Sequence, residues 1–268
     1  MTVLERNNVK LGGLPDGPPM VFVHGFGCDQ SMWREVTPAF AATRRIVTYD
    51  LTGMGGSELA AYDPRRHADL QAHADELIEI LDALSLGEVC LVGHSIGATI
   101  ALLAANRAPD RVSRLVMVSP SPAFLEDAEA GYRGGFAREE IEGLVALLDE
   151  NHLGWSMQMA PTIAGQPAED PSAVELTQSF CRTDPQIMSH FGRVTFFADR
   201  RADFEKAARP ALVLHCDKDA LVPMAVADWM RDRMPGATVE VLDATGHCPH
   251  MTVPETVVAA MGAHLGPA

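Results

Sequence analysis

Hydrophobic residues in this chain come in short, nearly unbroken runs separated by stretches where they recur every three or four positions. Six runs, at 20–24, 45–50, 89–92, 114–119, 211–216 and 238–242, are mostly apolar and rich in Val, Ile and Leu. That pattern predicts strands buried on both faces of a parallel sheet. Between the second and third runs, Leu70, Ala74, Leu77, Ile78, Leu81 and Leu84 form a stripe with helical spacing. Residues 99–105 read as a helix directly after the third run. Strands alternating with helices indicate βαβ units, hence an α/β protein with a mostly parallel central sheet flanked by helices.

The alternation breaks at about residue 122 and resumes at about 201. Helical patterns occur at 137–150, 173–180 and 186–197, with no convincing buried strand among them. A helical insert between two sheet strands reads as a cap over the strands' C-terminal ends, where open α/β sheets bind ligands. The expected division is a core of 1–121 and 202–268 with a cap of 122–201. The insert carries Phe124, Phe136, Trp155, Met157, Met159, Phe191, Phe196 and Phe197. Any one of these could serve only to pack the cap on the body, but together they leave some facing the cleft.

Composition narrows the function classes. The chain has 268 residues, 47 % of them hydrophobic, and a formal net charge of −15 without a basic block. That charge disfavours nucleic acid and anionic membranes as partners. Residues 1–10 lack the apolar core of a signal peptide, and no run approaches the length of a membrane span. Cys28, Cys90, Cys181, Cys216 and Cys248 are an odd set without close-spaced pairs, so reduced thiols and a cytoplasmic location are expected.

The chemistry centres on Gly93-His94-Ser95-Ile96-Gly97, which follows a predicted strand and opens a predicted helix. This is the nucleophile-elbow arrangement: a sharp strand-to-helix turn lifts the serine above the sheet edge, and both flanking glycines avoid collisions in the turn. A serine hydroxyl needs a base, and the base an orienting acid, in the chain order serine, acid, histidine. The fifth predicted strand leads into Asp217-Lys218-Asp219-Ala220-Leu221-Val222-Pro223, and the sixth into Asp243-Ala244-Thr245-Gly246-His247. Ser95, Asp219 and His247 are therefore the expected triad, with Asp217 and Glu126 as alternative acids. The expected oxyanion donors are the N–H of Ile96, next to the nucleophile, and that of Phe26 in the glycine-bounded loop after the first strand. A zinc site from His247, Cys248 and His250 matches no common ligand spacing, so no metal and no cofactor is expected. Serine at position 95 rules out an aspartate-nucleophile dehalogenase or epoxide hydrolase.

Longer stretches sharpen this picture. His24-Gly25-Phe26-Gly27-Cys28-Asp29-Gln30-Ser31-Met32-Trp33, the elbow itself, Ser119-Pro120-Ser121-Pro122 and Gly246-His247-Cys248-Pro249-His250-Met251 closely resemble the RsbQ-type α/β hydrolases. That family includes bacterial RsbQ and the plant strigolactone and karrikin receptors. The likeness runs from Glu5 nearly to the C-terminus and includes cap segments such as Phe180-Cys181-Arg182-Thr183-Asp184-Pro185. It implies an α/β-hydrolase fold with a V-shaped, four-helix cap inserted after the sixth strand, above a deep apolar pocket. It also implies Asp219 as the acid, and Phe26, His94, Phe124, Trp155, Met159, Phe191 and Thr195 as pocket residues.

The expected function is a serine hydrolase cleaving a small hydrophobic ester or lactone through an acyl-enzyme. The alternative implied by the resemblance is a ligand sensor with slow hydrolysis that acts on a phosphatase partner, as in bacterial stress signalling. Cofactor-free perhydrolase or haloperoxidase chemistry uses a similar triad.

Overall fold

A computed structural model describes residues 1–266. Its centre is a seven-stranded sheet in the order β1-β3-β2-β4-β5-β6-β7. The strands are β1 Lys10–Gly13, β2 Pro19–Val23, β3 Arg45–Thr48, β4 Val89–His94, β5 Val112–Val118, β6 Ala211–Lys218 and β7 Ala237–Thr245. All neighbours run parallel except β1, which pairs antiparallel with β3. The six expected strands are present. The additional strand, β1, is exposed along its whole length, so its Lys-Leu-Gly-Gly sequence carries no hydrophobic period to detect.

In chain order the helices begin with α1 Val3–Arg6, α2 Gln71–Ala83 and α3 Ile96–Arg107. Next come α4 Arg138–Glu150, α5 His152–Ala164, α6 Pro171–Arg182 and α7 Pro185–Phe196, followed by α8 Arg201–Phe204, α9 Met224–Arg233, α10 Pro249–Thr252 and α11 Pro254–Leu265. None is long and apolar enough to cross a membrane. The α2 stripe packs Ala74, Leu77 and Leu81 into the core. In α3 every residue from Ile96 to Ala105 is buried, which explains its apolar composition all round.

Helices α4 to α7 lie between β5 and β6, so the insertion follows the fifth strand of this sheet rather than the sixth. The difference lies at the N-terminus. There the segment before β1 is the helical turn α1, closed by a capping box between Thr2 and Glu5, and no strand precedes Lys10. The four-helix cap implied by the resemblance is present, and α5 is the one that hydrophobic spacing does not locate, because Gly154 and Pro161 interrupt its pattern. It forms nonetheless: the Asn151 side chain accepts from Gly154 N–H at 2.9 Å, and Pro161 lies inside the last turns. Two Asp-Pro pairs start the next two helices. Asp170 and Asp184 accept first-turn N–H groups, and the following prolines take the first helical position, which needs no donor. Helix α5 packs on α6 and α4 on α7.

Backbone segments approach closely at the start of α3. A Cβ on Gly97 would meet the carbonyls of Val23, at 2.5 Å, and His24; one on Gly93 would lie 2.5 Å from Ala98 N. Gly143, on the exposed face of α4, has nothing within 4 Å of such a Cβ. Gly97→Ala is therefore expected to lower unfolding stability by about 1–3 kcal/mol through overpacking. Gly143→Ala should raise it by up to about 1 kcal/mol through helix propensity. Urea unfolding midpoints of the two variants against the parent protein check both signs.

Candidate active site

Three strand ends converge at one edge of the sheet. At the end of β4 the chain passes from strand to helix within a single residue, Ser95, whose backbone takes φ 53° and ψ −122°. A serine with positive φ is strained, of the order of ~1–3 kcal/mol, and the surroundings hold it there. Ser95 N–H donates to Val118 O at 2.8 Å, and the glycines at 93 and 97 let α3 pack against β2. The side chain stands at the N-terminus of α3, where unpaired N–H groups favour negative charge.

Asp219 follows β6 and His247 follows β7. Their loops are tied together by the bond from Gly246 N–H to Lys218 O, 2.9 Å. His247 Nε2 lies 2.8 Å from Ser95 Oγ, and His247 Nδ1 lies 2.8 Å from Asp219 Oδ2 and 3.0 Å from Oδ1. Asp219 Oδ1 also accepts from the N–H groups of Leu221 and Val222, at 2.9 and 3.1 Å. Those bonds fix the carboxylate's orientation and support its charge. With the acceptor carboxylate at Nδ1, that nitrogen carries the proton and Nε2 presents a lone pair to the serine. The alternative acids are engaged elsewhere: Asp217 accepts from Ala244 N–H and Glu126 from Gly135 N–H.

His247 is seated by the cap as well as by the sheet. Its N–H donates to Ile163 O of α5 at 2.7 Å. At that crossing Gly246, with φ 93°, packs directly against Ala164 and Gly165; a Cβ on Gly165 would lie 2.6 Å from Gly246 N. Neither position has room for a side chain.

Two histidines hold neighbouring loops. His24 Nε2 accepts from Leu51 N–H and its Nδ1 donates to Gly25 O, both at 2.9 Å, which immobilises the Gly25–Phe26 loop. His94 Nε2 donates to His247 O at 2.8 Å. Burial, with His250 and His247 nearby, pushes His94 well below the ordinary imidazole range, so it stays neutral. His250 stacks between His94 and Trp33, with ring centroids 4.3 and 4.6 Å away. Burial, reinforced by His247, lowers it to about 3. The N–H groups of Phe26 and Ile96 have no acceptor among the described residues.

Ser95 lies on the wall of a small cavity of about 20 Å³. Its wall comprises Phe26, Cys28, His94, Ser95, Phe124, Ile163, Leu176, Phe180, Thr195, Phe196, Leu221, His247 and Cys248. Four expected pocket residues, Phe26, His94, Phe124 and Thr195, are on it. Trp155, Met159 and Phe191 are not. Two of them pack against Phe26 instead: Phe191 stacks on it at 5.9 Å and Trp155 meets it edge-on at 6.2 Å. Met159 is half-buried behind the wall. Ile163, Leu176, Phe180 and Leu221 were not anticipated; single apolar residues in helices and loops carry no mark of which way they face. Burial raises the Cys28 and Cys248 thiols well above their ordinary range, so both act as small apolar wall atoms.

A groove between Asp69 and α7 shares no residue with this cavity. A second buried cluster, His67, His73 and Glu76, brings ligand-type atoms within 4.8 Å of one another. Its carboxylate is already shared by the Thr52 hydroxyl at 2.8 Å and by Arg66 and Arg6 at 3.2 and 3.7 Å.

A mostly parallel sheet carrying a serine elbow, with a histidine and an acid on the next strand ends, defines an α/β hydrolase. The chain belongs to that family: the model described as "Alpha/beta hydrolase family" matches residues 20–260. It is 36 % identical to the strigolactone esterase RMS3 of Pisum sativum, over 94 % of each chain. It is 30 % identical to the Karrikin insensitive 2 receptor CA of Petunia hybrida, over 98 % of this chain and 97 % of that one. Among solved structures, olei00960, a hydrolase from Oleispira antarctica, superimposes with a TM-score of 0.92 at 35 % identity, covering 98 % and 95 % of the two chains. The grouping with strigolactone and karrikin receptors thus stands, as its motifs imply, and its relatives include esterases.

The neutral buried histidines set an acid limit on stability. His250 is held neutral in the fold but protonates near 6.5 once unfolded, so the unfolded chain binds the extra proton. The associated stability is intact above pH 6.5 and is lost as pH falls toward 3. The slope is about 1.4 kcal/mol per pH unit for each such group. His250→Phe should flatten the stability–pH profile between pH 6 and 4 by about that slope, as read from denaturant unfolding of both proteins across the range.

Proposed function

We propose that the protein is a serine hydrolase that cleaves a small hydrophobic ester or lactone through an acyl-enzyme. The observation that carries this reading is the hydrogen-bonded series Ser95–His247–Asp219 beside a small, mostly apolar cavity. His247 Nε2 takes the Ser95 proton as Oγ attacks the ester carbonyl carbon. The charge that develops on the carbonyl oxygen is met by the N–H groups of Phe26 and Ile96, aided by the N-terminus of α3. Collapse of the tetrahedral adduct breaks the ester C–O bond, and His247 returns the proton to the departing alkoxide. Water, deprotonated by the same imidazole, then attacks the acyl-enzyme and releases the acid. Asp219 keeps the imidazole in the required tautomer and stabilises its cationic form.

The curated relatives support ester cleavage, since one is named a strigolactone esterase. A second reading is favoured by the relative named as a karrikin receptor and by the small volume of the cavity, which a ligand larger than a water can enter only if wall side chains or the cap give way. In that reading the protein senses a small apolar ligand, hydrolyses it slowly and signals to a phosphatase-class partner in the cytoplasm.

Ser95→Ala should abolish hydrolysis of p-nitrophenyl acetate and labelling by a fluorophosphonate. Asp219→Asn should lower kcat by about 10³-fold or more while preserving the label site. Full activity in the Ser95 variant would refute the nucleophile assignment. Turnover of many cycles per second favours the hydrolase reading; a single slow turnover with a large ligand-induced thermal shift favours the sensor.

A further inference from the structure

The cavity wall contains one hydroxyl that the hydrolytic series does not use. Thr195, on the last turn of α7, is 1 % exposed and lines the cavity, yet its Oγ1 has no hydrogen-bond partner among the described residues. That is unusual for a helical threonine, whose hydroxyl ordinarily returns to the carbonyl four residues back. Four other cap hydroxyls do so, and Ser172, Ser179 and Ser189 donate to other acceptors. Ser156 donates to His152 O at 2.8 Å, Thr162 to Gln158 O at 3.3 Å, Thr177 to Ala173 O at 2.8 Å and Thr183 to Ser179 O at 3.1 Å. Thr195 makes no such bond to Phe191.

The wall it belongs to is mostly apolar, with the side chains of Phe26, Phe124 and Phe196 among its members. The other orphaned polar atom of the wall, His94 Nδ1, is turned against Gly25, where an added Cβ would lie 2.5 Å away. A buried hydroxyl left unpaired is costly, and an apolar ligand filling the cavity would leave it so. A ligand with an oxygen at that place would pair it.

We infer that Thr195 Oγ1 is a specificity-determining contact: the substrate's acyl portion is short and carries a hydrogen-bonding oxygen, as an ether, hydroxyl or carbonyl, that meets this hydroxyl. The inference rests on the serine hydrolase reading above. It narrows the substrate class from any small apolar ester to small oxygenated acyl esters and lactones.

Two matched pairs of p-nitrophenyl esters test it: methoxyacetate against butanoate, and 3-methoxypropanoate against pentanoate. Each pair replaces one CH2 by O at nearly constant size. The readout is the ratio of kcat/KM within a pair, so differences in intrinsic ester reactivity and in folded fraction cancel between variants. Thr195→Val should lower the oxygenated-to-hydrocarbon ratio by about three- to tenfold in at least one pair, the worth of a single neutral hydrogen bond. Thr195→Ser, which keeps the hydroxyl, should retain the ratio within about twofold, inside the lower limit for that bond. A change below threefold in both pairs for Thr195→Val, or equal changes in the Val and Ser variants, would overturn the inference while leaving the serine mechanism standing. No turnover of any of the four esters by the parent protein would overturn the serine mechanism and this inference with it.

Discussion

The contact on which the rest of the structure depends is the backbone crossing at the start of α3. For Ser95 to stand clear of the sheet edge, the helix must leave β4 at once and lie against the end of β2. That is achieved only because Gly97 lets α3 touch the carbonyls of Val23 and His24 and Gly93 lets the turn close on Ala98. The local strain at Ser95 is sustained by a helix buried along its first ten residues and by the bond to Val118 O. The same crossing places the hydroxyl at a helix N-terminus, where charge on a reacting oxygen is least costly.

A second constraint is the exclusion of water. Phe26 sits at the middle of an aromatic group formed with Trp155, Phe180, Phe191 and Phe196. This one side chain shares the cavity wall with the serine and belongs to the loop after β2. The cap does more than cover. Through Ile163 O and the Gly165–Gly246 contact it seats the loop that carries His247, so closing the cavity and positioning the imidazole are served by the same packing. Behind it, His94 and His250 remain neutral because they are buried away from compensating acids. They stiffen the site without adding charge to it.

Much of this was legible along the chain. The six parallel strands announced themselves as apolar runs, although β7, at the sheet edge, buries only Leu242 and Ala244, and Ser95 was marked by flanking glycines between a strand and a helix. Asp219 and His247 were marked by their places just after two later strands. Strand β1 left no trace because all four residues are exposed, and α5 was hidden because Gly154 and Pro161 break a pattern that Asn151 and the packing on α6 restore. Trp155, Met159 and Phe191 lie on cap helices but not on the cavity wall. An apolar side chain looks the same in sequence whether it touches a ligand or only the residue that does.

Local chain chemistry determined the elements, their alternation and the three polar side chains at strand ends, because each of those is written in spacing over a few residues. Only the tertiary structure decided which aspartate meets His247, that Phe26 packs against Trp155 and Phe191, and that the Thr195 hydroxyl is left without a partner. Those facts depend on distances between segments remote in sequence, set by packing that no single segment contains.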